Sequence, residues 1–73
     1  MNAANKQPIE YLLNKLRWLA AEERIALKNR EFGLVNYYVG QLDVVKGILF
    51  DVYRVDWKRM ESATEFGAAL AND

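Results

Sequence analysis

The stretch Phe32-Gly33-Leu34-Val35-Asn36-Tyr37-Tyr38-Val39-Gly40-Gln41-Leu42-Asp43-Val44-Val45-Lys46-Gly47-Ile48-Leu49 decides how this chain folds. Its Val and Tyr residues permit a strand over 35–45. The apolar spacing argues for a helix instead. Val35, Tyr38, Leu42, Val45 and Leu49 step by threes and fours, and the rhythm continues through Val52, Tyr53, Met60 and Ala63. The reading is one long helix from Phe32 or Leu34 to about Met60, with residues 62–70 extending it or forming a separate turn. Gly33, Gly40 and Gly47 fall seven apart within it, beside Asn36, Asp43, Asp51 and Arg54. Positions seven apart lie almost on one line of a helix. A glycine inside a helix costs about 1 kcal/mol against alanine. Three in line therefore predict close approach of another helix, or of a ligand, to bare backbone.

Upstream, Pro8 suits the first turn of a helix and Glu10 favours its dipole. Ile9, Leu12, Leu13, Leu16, Leu19, Ala20, Ala26 and Leu27 then recur at helical spacing, which predicts a first helix over 8–28. Asn29-Arg30-Glu31 reads as the turn, with Asn29 suited to the left-handed conformation that ends helices. Residues 1–7 read as a flexible start and 71–73 as a tail. The expected architecture is all-α: a two-helix antiparallel hairpin over 8–70 with a longer second helix, self-associating into a helical bundle. At about 1.5 Å per residue, the second helix would overhang the first by more than 10 Å. The overhang would expose Val52, Tyr53, Val55, Trp57 and Met60, so a partner chain is expected to cover them.

The totals agree with one small domain. The chain has 73 residues and is 52% hydrophobic, which argues against disorder. It has neither cysteine nor histidine, which excludes disulfides and thiolate or imidazole metal sites. A core this small supplies only about 3–5 kcal/mol unaided, so oligomerisation is the natural remaining support. Ten basic and ten acidic residues cancel, leaving no basic excess for nonspecific nucleic-acid binding. Residues 1–30 carry six Lys/Arg and three Asp/Glu, whereas 31–73 carry four and seven, so antiparallel helices from the two halves attract. No signal peptide or membrane-length apolar run is read, and the expected location is the cytoplasm.

Tyr11, Trp18 and Ile25 form a second heptad, opposite the Ile9/Leu13/Leu16/Leu27 face. They are read as a partner or oligomer interface, together with the glycine line and Tyr53 and Trp57 on the overhang. Lys15 and Lys28 are candidate ligand-binding cations, because aromatics beside cations stack on nucleobases. Glu23 and Asp56 interrupt the apolar faces. Buried carboxylates are costly unless paired, and edge positions paired with Arg30, Arg59 or Arg24 outweigh a catalytic role. Without histidine, cysteine or a phosphate loop, a carboxylate pair is the only catalytic kit left, and no enzyme and no cofactor is read.

The segment Tyr38-Val39-Gly40-Gln41-Leu42-Asp43, continued to Ile48-Leu49, resembles a Tyr-x-Gly-x-Leu-Asp-x-x-x-x-Ile-Leu pattern of small helical-hairpin accessory proteins of phages. The resemblance implies an inhibitor or anti-defence protein that acts in host cytoplasm by occupying a host protein. The alternative it leaves open is an oligomeric sponge that holds a nucleotide-type signalling ligand at subunit junctions.

Overall fold

A computed structural model describes residues 3–72 of the chain. They form three helices: α1 (Ala3–Lys28), α2 (Phe32–Asp51) and α3 (Trp57–Leu70). The all-helical expectation holds. The two-helix hairpin does not, because the expected second helix breaks into α2 and α3. Both of these pack on α1, which is the spine of the fold. α1 starts ahead of Pro8, so residues 3–7 are helical; residues 1, 2 and 73 of the expected flexible ends lie outside the described ones.

Two arginines make the turns. After α1, Arg30 takes a positive φ of 56°. Its N–H donates to the Leu27 carbonyl at 3.1 Å, and the Glu31 N–H donates to the Ala26 carbonyl at 2.9 Å. This is the Schellman arrangement, which satisfies the last carbonyls of a helix. The left-handed residue is thus Arg30, one place after the expected Asn29. After α2, Arg54 is again left-handed, with φ 58°, but in a wider turn: its N–H donates to the Phe50 carbonyl at 3.1 Å and the Val55 N–H to the Leu49 carbonyl at 2.9 Å. Asp56 then starts α3: its Oδ1 accepts from the Lys58 N–H at 2.7 Å. That bond satisfies one of the donors a helix start leaves free.

The reversal has a clear driving force. It folds Val55, Met60 and Ala63 back onto Ile9, Leu13 and Leu16, where all six are buried. The expected overhang therefore does not exist, and the need for a partner chain drawn from it falls away. Leu42, Val45 and Leu49 complete the same core from α2. α3 runs alongside α1 in the same direction. Arg59 meets Glu10 at one end, at 2.7 Å, and the Lys28 Nζ donates to the Ala71 carbonyl at the other, also at 2.7 Å.

The glycines divide into two kinds. A Cβ built on Gly67 would collide with the Arg17 backbone carbonyl, so this glycine lets α3 come close to the backbone of α1. A Cβ on Gly33, Gly40 or Gly47 meets nothing within 4 Å. At about 100° per residue, the glycine line lies roughly opposite Leu42, Val45 and Leu49, facing away from α1. The close approach expected at these three positions does not occur within the chain.

Candidate binding surface

The outer side of α1 carries Tyr11, Trp18 and Ile25 where the heptad predicts them, 63%, 54% and 42% exposed. α2 and α3 pack on the other side of α1, and this stripe stays uncovered. α2 extends it. The Trp18 ring meets Tyr38 edge-on, with centroids 6.3 Å apart and planes at 88°. Tyr38 in turn meets Tyr37 edge-on at 5.4 Å. Such pairs fix ring orientation and add about 0.5–1.5 kcal/mol each. The result is a braced aromatic chain, Trp18–Tyr38–Tyr37, that crosses from α1 to the outer side of α2. Tyr38 is partly buried against the core, which anchors the middle of the chain.

Lys15 sits beside this stripe with its Nζ 5.9 Å from the Tyr11 ring centroid. Tyr11, Asn14, Lys15 and Trp18 line a shallow depression of about 370 Å³. Lys28 takes no part in it. Its ammonium is bound to the Ala71 carbonyl, where it complements the C-terminal end of α3. The two candidate cations are therefore not brought together. Trp57 lies elsewhere, its ring tilted 31° against Phe50 with centroids 5.2 Å apart. Tyr53 packs partly against the core.

Neither carboxylate singled out from the sequence pairs with Arg24, Arg30 or Arg59 among the described residues, where Arg59 is taken by Glu10 and Arg24 by Asn72. Asp56 is a helix cap on the surface. Glu23 is partly buried and forms no ion pair among the described residues, where Glu10–Arg59 is the pair formed. No group of three or more His, Cys, Asp or Glu side chains able to hold a metal ion occurs among the described residues. No described helix is long and apolar enough to cross a membrane.

Sequence reasoning missed the groove between α1 and α3. Asn14, Arg17, Arg59, Ser62, Ala63 and Phe66 line it, with a volume of about 540 Å³. Arg17 lies over the Phe66 ring at 6.0 Å. The groove depends on α3 lying beside α1, and no reading with a single long second helix can place it. The signal that could have found it is Asp56, a helix-starting residue just before Trp57, Met60 and Ala63 at helical spacing.

Apolar side chains are distributed unusually. Fifteen large ones are exposed among the described residues, against twelve apolar side chains in the core, of which three are alanines. Comparison with protein-family models, curated proteins and solved structures finds no match to the chain.

Proposed function

We propose that this is a non-enzymatic binding protein that self-associates and acts by occupying a macromolecular partner through the aromatic chain on α1 and α2. One observation carries the reading: Trp18, Tyr38 and Tyr37 form a braced, part-exposed aromatic surface. Aromatic anchors of this kind dominate interface energetics, and they cost little conformational entropy to immobilise because they are already held. The Tyr-x-Gly-x-Leu-Asp resemblance extends the proposal to a phage-type accessory or anti-defence inhibitor in host cytoplasm, with a host protein as target.

The test compares wild type with Trp18→Ala in affinity capture from host lysate. Loss of one central anchor costs 2 kcal/mol or more, roughly a thirtyfold weakening. Capture of the same protein at equal strength by Trp18→Ala, with helicity unchanged, would refute the assignment of this face.

A second reading is favoured by the depression at Tyr11, Asn14, Lys15 and Trp18, where a cation lies beside two aromatic rings. A nucleotide-type ligand would stack on an aromatic there and place its phosphate at Lys15. Calorimetric titration with mono- and cyclic nucleotides separates the two readings. A saturable isotherm abolished by Lys15→Ala favours the sponge, and heats indistinguishable from dilution exclude it.

A further inference from the structure

The outer face of α2 has no neighbour in the chain, yet it has the chemistry of a packed face. Tyr37, Val44 and Ile48 are exposed along one flank of the glycine line, and Asn36 and Asp43 lie along the other. Between them the bare backbone at Gly33, Gly40 and Gly47 leaves open space. We propose that this face docks on the same face of a second copy of the chain, with the two α2 helices antiparallel and a two-fold axis passing beside Gly40. The proposal rests on the self-association put forward above and says which surface carries it.

Flank chemistry selects the direction. When two identical helices pack antiparallel, each flank meets its own kind. A two-fold at Gly40 sets Tyr37 against Val44 of the second copy, and Asn36 against Asp43; the dimer then covers the Tyr37 end of the aromatic chain and leaves the Trp18 end, beside Tyr11, open to the partner. Apolar then meets apolar, and an amide donor meets a carboxylate. Gly33 falls opposite Gly47. A parallel pair would instead set the apolar flank against the polar one.

Charge selects the same direction. α2 has no acidic residue in its first turn, no basic residue in its last and no side-chain hydrogen bond at its N-cap. Its N-cap, Glu31, carries the sign the dipole favours, but its side chain leaves the first N–H groups of the helix uncapped. Arg30 lies just before α2 and Asp51 ends it, and neither forms an ion pair among the described residues. In the antiparallel pair, Asp51 of one copy reaches the N-terminal end of the other α2, beside Arg30. Each Arg30 likewise reaches a C-terminal end. Both charges then have the sign that the dipole favours, and each has a counter-ion. A parallel pair would bring Arg30 against Arg30 and Asp51 against Asp51.

The absence of cysteine makes the arrangement directly readable by cross-linking. Facing glycines on closely packed helices come within the range of about 4.4–6.8 Å that a disulfide spans. Sedimentation gives the mass of wild type and of Gly40→Leu. Mild oxidation is applied to Gly40→Cys, to Gly33→Cys, and to a mixture of Gly33→Cys with Gly47→Cys. The expected results are a wild-type dimer and at least a tenfold weaker dimer for Gly40→Leu at unchanged helicity. Gly40→Cys should link to itself, and Gly33→Cys should link to Gly47→Cys but not to itself. A dimer that Gly40→Leu leaves intact, or one in which Gly33→Cys links to itself, overturns the antiparallel α2 interface while leaving self-association standing. A wild-type monomer at about 100 μM, well above the range of about 1 μM typical of specific pairs, overturns both. Should Gly40→Leu lose helicity, the cysteine series alone decides.

Discussion

Gly67 and Arg54 occupy positions that admit opposite corrections. Gly67 is buried where α3 crosses α1, and any Cβ there meets the Arg17 carbonyl. That neighbour is helical backbone, which cannot swing aside as a side-chain tip can. Gly67→Ala is therefore expected to destabilise the fold by at least the 1–3 kcal/mol or so typical of overpacking, although alanine is the better helix former. Chemical denaturation reads this as a lower midpoint at unchanged slope. Arg54 is the reverse case. Its positive φ costs a non-glycine residue roughly 1–2 kcal/mol, and glycine removes that strain. Part of the gain is lost to the freer unfolded chain. Arg54→Gly is thus expected to stabilise the fold by about 1 kcal/mol. A lower denaturation midpoint would mean that the Arg54 side chain contributes more than its backbone costs.

At the scale of elements, periodicity is the most legible part of the sequence. The three-and-four spacing places α1 and the first part of α2, and the heptad places the exposed Tyr11, Trp18 and Ile25. The break after Asp51 was hidden because it uses neither glycine nor proline. Val52-Tyr53-Arg54-Val55 keeps the apolar rhythm, and Arg54 enters the left-handed region with no compositional warning. The cause of the break is tertiary: burial of Val55 and Met60 on α1 outweighs one strained residue, since a fully buried side chain of that size is worth about 1.5–3 kcal/mol. The glycine heptad misled for a related reason. A line of glycines reveals where a neighbour could come close, but not whether that neighbour belongs to the same chain. Asp56 offers the decisive check on the break. As the cap of α3 it loses about 1 kcal/mol on replacement by alanine. In the middle of one continuous helix the same change would be neutral or favourable, because alanine is the stronger helix former. Asp56→Ala is expected to lower the thermal midpoint, and a rise would speak for an unbroken helix.

At the scale of the whole molecule, the proportions are those of a fold with uncovered surface. Its accessible area of 5006 Å² exceeds the roughly 4,700 Å² usual for a monomer of this mass. Its radius of gyration is 12.6 Å, against about 11 Å for a compact domain of this length. The principal extents of 41 × 22 × 18 Å give the reason, since one long helix with two flankers makes a rod rather than a ball. A rod buries less per residue, and a chain this short has little to spare in offsetting the entropy of folding. Association would therefore couple to stability. If the α2 faces pair, native dimer is in equilibrium with unfolded monomer, and mass action stabilises it as concentration rises. The thermal midpoint of wild type is then expected to climb between about 1 and 100 μM. At a dissociation constant near 1 μM, the bound state gains about 2.7 kcal/mol at the upper concentration, which is roughly 10–20 °C for a domain of this size. Gly40→Leu should behave differently. Its midpoint should be independent of concentration, and at the dilute end it should lie at or above that of wild type, because leucine favours the helix and its Cβ enters open space. Two curves that cross in this way cannot arise from a folding defect, which would depress the variant at every concentration. Parallel curves for the two proteins would show that the glycine line contributes nothing to assembly.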